Sequence, residues 1–200
     1  MQTKIVLATN NLNKLHEIQN FLRPYAITLL SQQEFAISDI EETGLTFVEN
    51  AILKARNACE YSGLPAIADD SGLEVDALNG APGIYSSRFA GKNASNADNI
   101  NKLLRELTEV PEDARTARFQ CLMVYLRHTK DPTPIICQGT WEGKILFAPQ
   151  GKNGFGYDPV FFVPTHNCSA AELDLTIKNT LSHRAQALQL LVEKISLLHN

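Results

Sequence analysis

The 200-residue chain lacks any long apolar run. No stretch approaches the ~18 consecutive apolar residues of a membrane-spanning helix. The N-terminal run Ile5-Val6-Leu7-Ala8 is too short for a signal peptide. Cysteine is scarce. Cys59, Cys121, Cys137 and Cys168 show no C-x-x-C spacing, which excludes the usual zinc and dithiol motifs. Cys121 and Cys137 fall in expected strands, where a thiol packs as a small hydrophobe, and all four are expected to be reduced in a cytoplasmic protein. An excess of positive charge is also missing. Eighteen Lys and Arg against 22 Asp and Glu leave a net charge of −4. That argues against nucleic acid or an anionic membrane as partner, since either wants a basic face; a local basic pocket remains open. There is no repeat, low-complexity tract or clear linker. Residues 1–200 are expected to form a single domain, with a length that also suits two small lobes.

What is present is an alternation of strand and helix signals. Lys4–Ala8 reads as a buried strand and Lys14–Leu22 as a short helix with Leu15, Ile18 and Leu22 on one face. Thr46-Phe47-Val48-Glu49 is a capping box, opening a helix to about Tyr61. Its inward residues are Ala51, Ile52, Ala55 and Cys59, with Lys54 near the seam. Pro65–Ala68 reads as a short strand, Asn96–Leu107 as a helix, and Ala114–Leu126 as a long strand with Phe119, Cys121, Met123 and Tyr125 alternating. Pro134–Trp141 and Gly143–Phe147 continue the sheet after a turn near Asp131–Thr133. The last helix, about His183–Leu198, buries Leu188, Leu191, Val192, Ile195 and Leu198. Long central strands among alternating elements imply an α/β fold with a mixed sheet flanked by helices.

The chemistry-bearing residues fall into clusters. Asp69-Asp70-Ser71-Gly72 reads as an acidic turn after the strand at 65–68, where adjacent carboxylates repel unless a cation or proton is shared. Hard oxygen ligands of this kind suit Mg²⁺, which takes one or two carboxylates and fills its shell with water and phosphates. Asp70 can hold that ion or act as general base on water. Glu41 and Glu42 can face the same place, and Lys54 can bind phosphate or tune the carboxylate. Thr9-Asn10-Asn11-Leu12-Asn13-Lys14 joins the first strand to the first helix, a natural anion site of backbone N–H groups with a lysine added. The glycines of a Walker A loop are missing from it. Gly154-Phe155-Gly156-Tyr157-Asp158 offers a ring held between glycines as a stacking platform and a carboxylate for a purine ring N–H. Ser182-His183-Arg184, with Lys178 just before, supplies donors for a carbonyl oxygen. The turn at 80–88 delivers Arg88, a candidate phosphate ligand. Each cluster alone also reads as an ordinary turn, cap or solvated side chain. Together they are the parts of a nucleoside triphosphate site.

At that point the sequence closely resembles the Ham1/RdgB-type inosine triphosphate pyrophosphatases, over nearly its whole length. The resemblance is carried by Thr9-x-Asn11-x-x-Lys14, Glu41-Glu42-Thr43-Gly44-x-Thr46-Phe47, Ala68-Asp69-Asp70-Ser71-Gly72-Leu73, Pro82-Gly83-Ile84-Tyr85-Ser86-x-Arg88, Gly154-Phe155-Gly156-Tyr157-Asp158-Pro159 and Ser182-His183-Arg184, in that order. Asn10 departs from it, since relatives often carry Gly there; Asn tolerates positive φ, so the loop is expected to survive. The resemblance implies an elongated fold of two lobes with an active-site cleft between them, a homodimer, and Mg²⁺-dependent hydrolysis of dITP, ITP or XTP to the monophosphate and pyrophosphate. It places Thr9 to Lys14 around the triphosphate, Asp70 as metal ligand and proton acceptor, and Ser71 against substrate. Glu41 or Glu42 completes the metal site. Phe155, Gly156, Tyr157, Asp158, Lys178, His183 and Arg184 bind the base. The rival readings are a Maf-like pyrophosphatase with other base specificity, a non-catalytic nucleotide sensor, and a phosphotransferase, which the lack of Walker A and kinase motifs disfavours.

Overall fold

A computed structural model describes residues 3–25 and 27–197. Leu198, expected at the end of the last helical stripe, lies outside them. The elements are β1 (Thr3–Leu7), α1 (Leu12–Leu22), β2 (Ile27–Ser31), α2 (Phe47–Ser62), β3 (Ala66–Val75), α3 (Asn96–Glu106), β4 (Thr116–Leu126), β5 (Ile135–Ile145), β6 (Phe161–Val163), β7 (Cys168–Ser169), α4 (Leu175–Leu181) and α5 (His183–Leu197). The strands form one mixed sheet in the order β2-β1-β3-β4-β5-β6-β7, the α/β architecture expected. No helix among the described residues is long and apolar enough to cross a membrane. The chain divides into two compact units: residues 1–70, 121–139 and 184–200, and residues 71–120 and 140–183.

In the first unit β1 runs parallel to β2, with Ile5 opposite Leu29, and parallel to the start of β3, with Leu7 opposite Ile67. Parallel neighbours need a crossover, which α1 and α2 supply. Successive strand residues point to opposite faces, and the two cores obey that rule. Ile5, Leu7, Ile67, Cys121, Met123 and Tyr125 pack with α1 and with Leu188, Leu191, Val192 and Ile195 of α5. Val6, Ala66, Ala68, Val124 and Leu126 pack instead with Ala51, Ala55, Ala58 and Cys59 of α2. Small residues on both sides of that second layer let α2 lie close to the strands. The expected capping box is present: Thr46 Oγ1 accepts the Glu49 N–H, and the Glu49 carboxylate accepts the Thr46 N–H at 2.9 Å. Gly63, with φ of 68°, ends the helix in the left-handed conformation that glycine adopts freely.

The second unit is built around Phe119, Trp141, Tyr157 and Phe161, with Ile100 and Leu103 of α3. Arg115 is fully buried there. Its guanidinium donates to the carbonyls of Leu107, Val110, Ile145 and Leu146, so a charge replaces missing backbone donors where the chain turns. β6 pairs antiparallel with β5 and with β7.

Strands β2, β6 and β7 were not foreseen, and other elements differ from expectation. The strands foreseen at 134–141 and 143–147 are one strand, β5; Gly143 does not interrupt it, because a Cβ there would meet the Phe162 carbonyl at 2.4 Å and glycine is what permits the close pairing. Lys178 lies in a helix of its own, α4, capped by Asp174, whose carboxylate accepts the Thr176 N–H. And β3 continues through Asp69 and Asp70 to Val75, so the acidic turn is a strand.

Candidate active site

Because Asp69 and Asp70 lie within β3, the pleat sends them to opposite faces. Asp69 follows Ile67 towards the α1 and α5 side, and Asp70 follows Ala68 towards α2. The repulsion expected of an adjacent pair is relieved by divergence, and each carboxylate meets a lysine from a different helix.

Asp69 has no solvent-exposed side-chain surface, and its Oδ2 lies 2.8 Å from Lys14 Nζ of α1 and 3.7 Å from Arg184 Nε of α5. Arg184 also bonds Glu17, one turn beyond Lys14 on α1. Burial pushes the Asp69 carboxyl up, but Lys14 and then Arg184 outweigh it and hold the group well below the usual carboxylate range.

Asp70 is also buried, yet its balance tips the other way. Desolvation raises its pKa, Lys54 lowers it, Glu42 raises it again, and the net direction is upward. Asp70 Oδ1 accepts from Lys54 Nζ at 2.8 Å, and the same ammonium donates to Glu42 Oε1 at 3.0 Å. Burial works against the Lys54 charge, but Asp70, Asp69 and Glu42 together raise its pKa. The sequence left Glu41 and Glu42 equivalent; in the structure Glu42 joins Asp70 on one cation, while Glu41 is exposed.

Sequence reasoning missed Asn50 of α2. It is fully buried, its Nδ2 lies 3.4 Å from Asp70 Oδ2, and its Oδ1 accepts the Gly44 N–H at 2.8 Å. Its spacing was the available signal: Asn50 stands four residues before Lys54, on the same side of α2.

The loop before α1 is organised by its own side chains. Asn11 caps the helix, and its Oδ1 accepts the N–H groups of Asn13 at 3.0 Å and Lys14 at 3.2 Å. Thr9 Oγ1 accepts the Asn11 N–H, and Asn10 Oδ1 accepts from Gln33. The Asn11 carboxamide thus takes two amides that an anion was expected to meet. Asn10 is not among the residues with positive φ, so an asparagine there needs no unusual backbone. Asn10, Asn11, Leu12 and Asn13 are exposed, and Thr9 is half-buried.

The second unit holds the other expected residues. Asp158 and Lys178 are both buried and paired at 2.6 Å. Asp158 also accepts the Phe155 N–H at 2.8 Å, and Lys178 Nζ lies 5.3 Å from the Phe155 ring centre. Gly154 adopts φ of 73°, and a Cβ on it would fall 2.0 Å from Asp158 Oδ2, so glycine is required there twice over. Phe155 and Gly156 are half-buried. Tyr157 is in the core, and its hydroxyl donates to the Ser86 carbonyl. His183 stacks on Phe119, ring centres 4.8 Å apart and planes 13° from parallel. Arg88 lies over the Tyr85 ring at 5.2 Å, and Ser71 is half-buried. Lys14, Lys54, Asp69, Asp70, Glu42 and Arg184 therefore come together in the first unit, whereas Phe155, Asp158, Lys178 and His183 stand in the second.

A mixed-sheet α/β protein with a buried aspartate–lysine centre on one strand is the class that fold and geometry define. The chain belongs to the Ham1 family, whose sequence pattern matches residues 5–194. It is 58% identical over 192 residues to a dITP/XTP pyrophosphatase of Vibrio cholerae, covering 96% of each chain. It is 54% identical to the dITP/XTP pyrophosphatase of Escherichia coli, covering 96% of this chain and 98% of that one. Among solved structures, a HAM1 protein from Coxiella burnetii superposes with a TM-score of 0.92 at 53% identity, covering 97% of this chain and 98% of that one. The Ham1 protein of Staphylococcus aureus gives 0.86 at 40% identity, with the same coverage.

Proposed function

We propose that this chain hydrolyses deaminated purine nucleoside triphosphates, dITP, ITP and XTP, to the monophosphate and pyrophosphate. Its relatives' activity at 54–58% identity supports the reaction. The observation that carries the assignment of roles is Asp70: a buried carboxylate with a raised pKa, flanked by a lysine and a second carboxylate. Asp70 takes a proton from the attacking water; the water oxygen bonds the α-phosphorus; the bond from that phosphorus to the bridging oxygen breaks, and pyrophosphate leaves with the electron pair. Lys54 and Lys14 offset the charge that builds on the leaving group. Thr9 to Asn13, Ser71 and Arg88 are assigned to the rest of the phosphate and sugar end.

Asp70 and Glu42 present hard oxygens to one cation, Lys54 Nζ, and such a donor pair fits Mg²⁺. No group of three or more His, Cys, Asp or Glu is placed for a metal among the described residues, so Asp70 and Glu42 would hold the ion, and water and phosphate oxygens would supply its remaining ligands. When bound, the ion supplies charge neutralisation at the triphosphate. Phe155, Gly156, Tyr157, Asp158, Lys178, His183 and Arg184 are assigned to the base, with Tyr157 acting by holding its segment through Ser86. Donors aimed at a 6-oxo acceptor reject the 6-amino group of adenine, because each misfit leaves a buried group unpaired at about 1–3 kcal/mol. A cytoplasmic homodimer is the expected form; the four free thiols support that compartment.

The test is release of pyrophosphate against orthophosphate from dITP, with Mg²⁺ present or chelated and dATP as control. Mg²⁺-dependent pyrophosphate from dITP alone is expected. Orthophosphate, or tight binding without turnover, returns the site to a phosphatase or a sensor, and preference for dTTP or UTP to a Maf-like enzyme. Arg184→Ala is expected to lower the preference for dITP over dATP by roughly tenfold, the loss of one good hydrogen bond. An unchanged ratio with a lower thermal midpoint would leave Arg184 solely the partner of Glu17 and Asp69.

A further inference from the structure

We infer that Asn50 is a positioning residue for this reaction, holding Asp70 and the loop that bears Glu42 in fixed relation; the inference rests on the role given to Asp70 above. Asn50 is a wholly buried amide on a face of α2 otherwise made of Phe47, Ala51, Ala55, Ala58 and Cys59. A buried amide is costly unless both ends are satisfied, and here both are. The Gly44 N–H can only donate, so it must face Oδ1, at 2.8 Å. That leaves Nδ2 towards Asp70 Oδ2, at 3.4 Å, and an ionised carboxylate can only accept. The orientation of the amide is therefore set by its partners.

Gly44 makes the approach possible. A Cβ on it would fall 2.7 Å from Asn50 Oδ1 and 2.6 Å from Glu49 Cβ. One helical turn on, Lys54 makes the parallel tie, from Asp70 Oδ1 to Glu42. Residues 42–44 are thus fastened to both oxygens of Asp70, by an amide and by an ammonium four residues apart on one helix. The ties differ in kind. Lys54 is a cation that an incoming triphosphate attracts, and its carboxylate partners are those assigned to Mg²⁺. Asn50 is neutral and inaccessible, so its hold on Asp70 and on the loop persists while the partners of Lys54 change.

The experiment compares wild type with Asn50→Leu, which removes the amide at similar size, and with Gly44→Ala, which leaves Asn50 in place but displaces the loop from its oxygen. Steady-state hydrolysis of dITP and thermal unfolding are measured for each. In both variants kcat is expected to fall roughly ten- to a hundredfold, as for a misplaced reacting group, with KM within about threefold, since no substrate contact is lost. The double variant is expected to do no worse than the more damaging single one, because both break one chain of contacts. A folded Asn50→Leu with kcat within about twofold of wild type overturns the inference, since a merely structural amide moves the midpoint and not kcat. Should Asn50→Leu not fold, unchanged kcat in Gly44→Ala overturns it alone. Wild type that releases no pyrophosphate from dITP removes the functional reading itself; active wild type with indifferent variants removes only the role of Asn50.

Discussion

Asp70→Asn is expected to lose pyrophosphate release by about three orders of magnitude, within the range for removing a general base, and to keep its thermal midpoint. The second half follows from the direction of the Asp70 shift. Folding raises its pKa, so folding favours the protonated form, and keeping Asp70 ionised in the folded protein carries a stability penalty. The isosteric amide removes that penalty and still presents an acceptor to Lys54, which also keeps Glu42; its NH2 then faces the Asn50 amide, and the loss of that hydrogen bond, about 1 kcal/mol, offsets the gain. Pyrophosphate assays at saturating dITP, paired with calorimetry, check both halves. Activity within about tenfold of wild type in a folded variant would move the general base elsewhere.

Asp69→Asn is expected to give the opposite result in stability. Its carboxylate is enclosed with Lys14 and Arg184, and removing one partner of a buried ion pair costs about 3–5 kcal/mol. In a chain of this length that corresponds to a fall of roughly 6–20 °C in thermal midpoint. The pH dependence follows from the sign. The folded pKa is depressed below the unfolded value, so the contribution is complete above about pH 4 and is lost as pH falls below it. The gap in midpoint between wild type and Asp69→Asn should therefore be full at pH 6–7 and narrow progressively in acid. A gap that stays constant from pH 7 to pH 3 would show that the charge of Asp69 is not what stabilises.

Much of this arrangement was legible in the sequence wherever a local pattern decided the outcome. The capping box at Thr46 and Glu49, the apolar stripes of α2 and α5, and the alternation of β4 all follow from neighbours within a few residues. The acidic strand did not. Two carboxylates followed by Ser and Gly favour a turn, and it takes the cations brought in by α1, α2 and α5 to stabilise a buried strand there. That Glu42 reaches Lys54 is a tertiary contact that no local pattern at Glu41-Glu42 shows. Arg184 reads as a companion of His183, yet its partner Glu17 is 167 residues away, a distance no window of local sequence spans. Asn50 escaped notice because one amide in a row of alanines looks like an ordinary helix residue until its two partners are seen.

The continuation of β3 through Asp69 and Asp70 has one more consequence. The function of each carboxylate depends on whether it falls on an odd or an even step of the strand. One residue added or removed between the Ala66 pairing and Asp69 would exchange the two, presenting the group meant for Lys14 and Arg184 to Lys54 and Asn50. The direct partners differ on the two faces, Lys14 and Arg184 on one and Lys54 and Asn50 on the other, so a substitution falls mainly on one side, whereas a change of length there scrambles both. An insertion or deletion between Ala66 and Asp70 is therefore expected to damage both sides at once, where a single substitution at Asp69 or Asp70 damages chiefly one.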